Sequence, residues 1–100
     1  MLIKIDFKKG DVVSVKLVTG EELVTKLGEI TESSYEFTKP LSLNMSAQGP
    51  VLAPYMLTIE LDATITIDKS KIIAIVKPRE DVRSQFIQST TGLSIPEGVL

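Results

Sequence analysis

The chain has 100 residues, the size of one ordinary domain, with 43% hydrophobic and 24% charged residues. This composition excludes a disordered chain and predicts a single packed core. The formal net charge of −2 excludes a general attraction to phosphate backbones, so any contact with nucleic acid must be local. The absence of Cys and His excludes disulfides, thiolate metal sites and imidazole-based catalysis. We therefore expect no metal, no cofactor and no enzymatic activity.

Apolar and polar residues alternate along most of the chain, a period of two that is typical of β-strands with one buried face. Turn residues such as Lys8–Asp11 and Thr19–Glu21 separate the alternating segments, and the first two segments are predicted to form a hairpin. We predict strands at residues 3–7, 13–17, 23–30, 35–43, 55–61 with the alternation continuing through 65–67, and 72–76. The sequence therefore predicts a mainly β, antiparallel domain.

Met45–Pro54 is the longest segment between predicted strands that breaks the alternation. It contains Gly49, Pro50 and Pro54. Because proline has no N–H to donate, it cannot continue a central strand. We therefore predict an exposed connection here.

The hydrophobic period changes after Pro78. Val82 and Phe86 lie four residues apart, and charged residues occupy most positions around them. This spacing predicts a short amphipathic helix at the end of the domain. The predicted domain comprises residues 1–88, followed by an irregular tail at 89–100.

Ile72–Val76 is apolar on both faces, unlike the other predicted strands. A small barrel has an interior for only one of these faces, so the other needs separate cover. One interpretation is that a second copy of the chain completes this strand; the alternative is that the C-terminal helix covers it within the monomer. The candidate interface residues are Ile72, Ile73, Ile75 and Val76.

Two segments resemble the motifs of the Sm family. Val15–Gly20 (VKLVTG) and the residues that follow resemble the first motif, with Thr25 at its second glycine position. Ile67–Ile72 (IDKSKI), continuing to Pro78, resembles the second motif, with its Arg-Gly pair replaced by Asp-Lys. Within the family, the chain is similar to small Sm-like proteins of marine cyanophages, which carry a helix after the barrel.

The resemblance spans Val12–Pro78 and implies a fold and an assembly. The fold would be an Sm-like (SH3-like), strongly bent antiparallel barrel of about five to six strands, with a short C-terminal α-helix. The assembly would be a homo-oligomeric ring of about five to seven subunits, in which the fourth and fifth strands of neighbours pair edge to edge. The implied location is the cytoplasm, that of the host cell if a phage encodes the protein. The sequence contains no run of about 18 apolar residues, the length that would predict a membrane span.

The resemblance also implies a candidate site for single-stranded RNA, because Sm proteins stack a base on a residue of one loop and pack an Arg of the second motif beside it. Here only Tyr35 offers a stacking plane, and Asp68 stands where the family has Arg. The candidate residues are Thr31, Ser34, Tyr35, Asp68, Lys69 and Lys71. The alternative is that Tyr35 is a core residue like Phe37 and that the lysines are ordinary turn charges.

Two functions follow from these expectations. The first is an RNA-binding or RNA-chaperone ring. The second is a protein-interaction or virion-assembly module that keeps the barrel without the RNA pocket. Glu60 and Asp62 are paired carboxylates, but on an alternating strand they are more typical of a solvated face than of a catalytic pair.

Overall fold

The computed structural model describes residues 7–91. It contains six strands and a C-terminal helix, which confirms the prediction of a mainly β, antiparallel chain. The elements are β1 (Val12–Leu17), β2 (Glu22–Ile30), β3 (Ser34–Ser46), β4 (Gly49–Pro54), β5 (Thr64–Asp68), β6 (Ile72–Val76) and α1 (Glu80–Thr90). A 3₁₀ turn, Lys69–Lys71, joins β5 to β6.

The strands form one antiparallel sheet in the order β4-β3-β2-β1-β6, with β5 also paired to β3. The long strand β3 pairs with β5 through its first half and with β4 through its second half. β1 pairs with β2 on one side and β6 on the other, so neither edge of β1 is free for the predicted hairpin with residues 3–7. Residues 3–6 of that hairpin lie outside the described residues.

The register between β3 and β2 shifts in the middle of β3, which marks a β-bulge, and a bulged strand bends. Val24 pairs with Leu41 and Lys26 with Thr38, so Lys39 and Pro40 together oppose the single residue Thr25. Lys39 adopts a φ of 57°, in the left-handed region. The Thr25 hydroxyl donates to the carbonyl oxygen of Thr38 at 2.8 Å, which satisfies a backbone acceptor beside this bulge.

The predicted connection at Met45–Pro54 is wrong, because this segment forms a hairpin. β3 continues to Ser46 and β4 begins at Gly49, which has a φ of 111° suited to glycine. β4 lies at the end of the sheet, and an edge strand tolerates proline wherever the missing N–H would point away from its neighbour. The sequence rule excluded a central strand, and the segment is an edge strand instead.

The predicted strand at residues 55–61 is also wrong, because these residues form bends and turns. The segment has no strand to pair with in the described structure, since both halves of β3 already have partners. The amide of Ala63 donates to the carbonyl oxygen of Glu60 at 3.0 Å and closes a turn. Leu57, on the apolar side of the predicted alternation, is 89% exposed.

The buried side chains form two clusters on opposite faces of the sheet. The larger cluster includes Val13, Leu27 and Phe37, and Phe7 packs against it. The smaller cluster consists of Val24, Leu41 and Phe86, and it attaches α1 to the sheet. The full membership of the larger cluster is Val13, Val15, Leu17, Leu23, Leu27, Tyr35 and Phe37.

The helix predicted after Pro78 is confirmed as α1, with Phe86 buried and Val82 and Ile87 packed on the smaller cluster. It runs two residues past the predicted boundary at residue 88, to Thr90, whose hydroxyl donates to the Phe86 carbonyl oxygen at 2.8 Å. The rest of the predicted tail, residues 92–100, lies outside the described residues. No helix within the described part of the chain has the length and hydropathy needed to cross a membrane.

Candidate binding and assembly surfaces

Antiparallel pairing of β3 with β5 brings most of the candidate RNA-binding residues to one corner of the sheet. Ser34 pairs with Asp68, and Tyr35 pairs with Ile67. The amide of Lys69 donates to the carbonyl oxygen of Ser33 at 2.8 Å, which attaches the 3₁₀ turn to the loop before β3. The two separated motif segments therefore meet in space.

The loop before β3 is closed by Thr31. Its hydroxyl oxygen accepts from the amide of Ser34 at 3.0 Å, and the two hydroxyl groups lie 2.8 Å apart. The amide of Thr31 donates to the Ser34 carbonyl oxygen at 2.9 Å. Both hydroxyl side chains of the candidate RNA site thus take part in local turn hydrogen bonds.

The ring of Tyr35 lies in the core of the monomer. It is 6% exposed and stacks on Phe37 with the ring centroids 6.0 Å apart. The Lys69 ammonium lies 5.1 Å from the centroid of the Tyr35 ring, a cation–π distance. A nucleotide base reaching this ring would have to displace the lysine, so the packing matches the alternative of Tyr35 as a core residue.

Asp68 caps the 3₁₀ turn and carries a negative charge at this corner. Its carboxylate accepts from the backbone amide of Ser70 at 2.8 Å. That bond, with a smaller contribution from the Ser70 hydroxyl and the charge of Lys71, lowers the pKa of Asp68 below the ordinary value for aspartate. The carboxylate is therefore ionised at neutral pH, where it opposes the attraction of the lysines for phosphate.

A cleft of about 390 Å³ lies between the end of β1 and β5. Its walls are mainly apolar, with Leu17, Ile65 and Ile67 among the lining residues. Asp68 and Lys71 also line it, which places the last of the candidate RNA residues beside the corner described above. The amide of Val18 donates to the carbonyl oxygen of Lys71 at 2.9 Å, which joins the chain after β1 to the 3₁₀ turn beside the cleft.

The candidate interface residues of β6 divide between its two faces. Ile72 and Ile75 pack partly buried against the larger cluster, whereas Ile73 is 62% and Val76 53% exposed. α1 packs on Val24 and Leu41 instead of on β6. The structure therefore does not show the alternative arrangement, in which this helix covers the outer face of β6.

β4 has one open edge in the described structure, and its prolines face that edge. Residues 41–46 of β3 pair with 54–49 of β4, and the Tyr55 amide donates to the Pro40 carbonyl oxygen at 3.1 Å. Backbone groups point alternately toward and away from a partner strand, so this bond places Pro50, Leu52 and Pro54 on the outward side. Because Pro50 and Pro54 have no N–H, Leu52 provides the only outward N–H group of β4.

β5 also has an open edge among the described residues, and it carries no proline. Its backbone is bonded to β3 on either side of the strand, by Lys39 N–H to Ala63 oxygen at 3.0 Å and by Lys69 N–H to Ser33 oxygen at 2.8 Å. The same alternation therefore turns Thr64, Thr66 and Asp68 outward. All three have both an N–H and a C=O, and Thr66 and Asp68 line the cleft.

Sequence reasoning missed the cleft beside β5. The cleft depends on the pairing of β5 with β3, a long-range feature with no local pattern. A signal was available only for the prolines, whose spacing of four in Pro50 and Pro54 places both on the same side of a strand.

No protein-family model matches the chain, and a search of curated proteins gives no significant match.

Proposed function

We propose that the protein is a non-enzymatic, Sm-like barrel that assembles into a homo-oligomeric ring and acts by binding. The path β5-β3-β2-β1-β6 supports the barrel, because its two ends are joined by only the 3₁₀ turn Lys69–Lys71. A sheet whose ends are this close is strongly curved, as a barrel requires, while β5 and β6 each keep one unpaired edge among the described residues.

The observation that carries the ring is that β6 exposes Ile73 and Val76 at an open edge that α1 does not cover. β5 provides a second, different open edge with complete backbone hydrogen-bonding groups. When two different edges of one molecule pair, the contact is head-to-tail, and repeated contacts close into a ring if the rotation permits. We assign the contact to β6 of one copy and β5 of the next, with apolar side chains of β6 entering the cleft beside β5.

Light scattering on the purified protein tests this assembly. We expect a mass of about five to seven monomers, as in closed rings of this kind. Ile73→Glu places a charge in the contact and should give monomers. Ile30→Glu is the matched control, because Ile30 is 42% exposed but lies on β2, away from the β5 and β6 edges, and pairs with Tyr35 of β3. A monomeric wild-type protein at micromolar concentration would contradict the proposal.

The geometry favours a protein ligand over RNA for this ring. Tyr35 is buried beneath Lys69, and the ionised Asp68 is committed to the 3₁₀ turn. This is the arrangement expected of a module that keeps the barrel without the RNA pocket. A virion-assembly role belongs to the same class, because it also requires protein contacts.

Single-stranded RNA is the second candidate, and one observation favours it. The β3–β5 pairing gathers Ser34, Lys69 and the loop of Thr31 at one corner, and a ring would repeat this corner in every subunit. Fluorescence anisotropy with oligo-U and oligo-A at low salt tests it. Binding by the wild-type protein supports the RNA ring.

The variant Asp68→Arg separates the remaining outcomes. If only this variant binds RNA, the corner is a lost RNA site and the protein-interaction role gains support. If neither protein binds, RNA does not use this face. In that last case, Lys71→Ala should leave unchanged the binding of any partner that uses another surface.

A further inference from the structure

We propose that the outer part of the β3–β4 hairpin binds an amphipathic helix of a partner protein through an uncharged, apolar face. This inference extends the protein-interaction role proposed above, but it requires only the surface of one subunit and not the ring. The residues that define this surface, called the hairpin face below, are Leu41, Leu43, Met45, Pro50 and Leu52.

Strand geometry places these side chains on one side of the hairpin. Side chains alternate between the faces of a strand, and directly paired residues share a face. Leu43 pairs with Leu52 and Met45 with Pro50. Leu41 belongs to the smaller core cluster and Leu52 packs against that cluster, which identifies this side as the one that α1 covers.

The opposite side of the hairpin has a different character. Apart from Val51, which is 38% exposed, its residues are small or polar: Ser42, Asn44, Ser46, Gly49 and Ala53. The hairpin is thus amphipathic, and its apolar side belongs to the face of the sheet on which α1 packs.

The hairpin face continues beyond the end of α1. Leu41 is 3% exposed beneath the helix, whereas Met45 at the far end is 77% exposed. Phe86, Val82 and Ile87 of α1 cover the inner part. The protein's own structure therefore shows which kind of element packs on this face, namely a helix with an apolar stripe, and the uncovered part continues that interface.

The absence of charge specifies the chemistry of the partner. From Pro40 to Ile59 the chain contains no Asp, Glu, Lys or Arg, although charged residues make up 24% of the protein. A charged group docked on this face would lose its hydration without gaining a counter-charge. The partner stripe is therefore apolar and uncharged, and the flexible Met45 side chain suits contact with such a surface.

The edge of β4 excludes a strand as the partner. Pro50 and Pro54 remove two of the outward N–H groups, and a strand added to this edge would find only Leu52 as a donor. Binding through side chains on the hairpin face does not need those groups. A helix, whose backbone hydrogen bonds are internal, meets this condition.

NMR titration of the full-length ¹⁵N-labelled protein tests the proposal. The probe is a synthetic capped peptide of about 15 residues, long enough to hold a helix, with leucine and phenylalanine on one stripe and uncharged polar residues elsewhere. We expect chemical-shift changes confined to residues 43–45 and 50–52. No change at these residues at saturating peptide would overturn the proposal.

Two variants provide the matched comparison. Met45→Glu puts a charge on the hairpin face and should weaken peptide binding at least tenfold, whereas Asn44→Glu puts the same charge on the opposite face and should change it less than twofold. Both sites are exposed, so both variants should fold. Equal effects of the two variants would overturn the proposal.

Two other occupants would also overturn it. Light scattering on the same samples measures the mass of the assembly independently of peptide binding. A mass that is lower for Met45→Glu than for the wild type, but unchanged for Asn44→Glu, would assign the hairpin face to a second copy of the chain. Peptide binding that appears only in the full-length variant Ile95→Glu would assign the face to the chain's own residues 92–100. A wild-type protein that is monomeric yet binds the peptide contradicts the ring and supports the helix site.

Discussion

Replacing Thr25 with valine tests whether the bend in β3 depends on one buried hydroxyl. Thr25 is fully buried, and its hydroxyl donates to the carbonyl oxygen of Thr38 at 2.8 Å. Valine has nearly the same shape, so the substitution creates no cavity, but it leaves the Thr38 carbonyl without this donor. The loss of one hydrogen bond of this kind costs about 0.5–1.5 kcal/mol, out of a total stability of about 5–15 kcal/mol for a domain of this kind.

Urea denaturation measures the effect on the free energy of unfolding. At a slope of about 1–2 kcal/mol per molar, the midpoint should fall by about 1 M. Thr25→Ser is the control that keeps the hydroxyl, and its backbone chemical shifts at residues 38–40 should match those of the wild type. A methyl group in a dry core is otherwise more favourable than a hydroxyl. A Thr25→Val protein as stable as the wild type would therefore refute the role given to this hydrogen bond.

Three further predictions concern separate parts of the sheet. Gly28→Ala should lower the unfolding free energy by about 1–3 kcal/mol, because the new Cβ would lie 3.1 Å from the Glu36 Cβ and 3.2 Å from its carbonyl oxygen; an unchanged urea midpoint would contradict this. Pro50→Thr combined with Pro54→Thr should restore N–H donors to the β4 edge, and light scattering should detect new concentration-dependent association. The Asp68 carboxyl, followed by ¹³C NMR, should titrate below the ordinary aspartate pKa. Because folding lowers this pKa, the stabilisation is present above the unfolded value and is lost as the pH falls through the folded one; a titration at the ordinary value would count against the cap.

Local periodicity predicted the type of most elements because it depends on which side of each strand is buried. Val13, Val15 and Leu17 alternate in sequence and are all buried in one cluster, as expected. The spacing of Val82 and Phe86 likewise predicted α1, because a helix needs only one apolar stripe to pack on a sheet. These patterns are local, and a single sequence contains them.

The errors arose where the outcome depends on the neighbouring strand. Pro50 and Pro54 argue against a central strand. Whether they fit an edge strand can be judged only when the partner strand is known, together with which residues point their backbone groups toward it. The alternation at residues 55–61 is real, yet β5 and β4 already occupy the edge of β3, so no partner is left in the described structure. Competition between segments for one edge has no signature in the sequence of either segment.

The candidate RNA corner was predictable in part. The resemblance to the Sm motifs assigned Ser34 and Asp68 to one candidate site, and the β3–β5 register pairs them directly. The position of Lys69 over the buried Tyr35 ring was not predictable, because it depends on how the 3₁₀ turn is anchored to Ser33. Tyr35 itself faces the core because it lies on the same side of β3 as Phe37.

The open strand edges have different hydrogen-bonding capacities, and this difference separates assembly from docking. The β4 edge has one outward N–H between its prolines, so it resists strand addition even though it borders the exposed end of the hairpin face. The β5 edge keeps every N–H and lies along an apolar cleft, and β6 offers exposed isoleucine and valine side chains at its own edge. In the ring proposed above, a copy that approaches with β6 would gain backbone bonds at β5, and the hairpin would stay available for side-chain recognition.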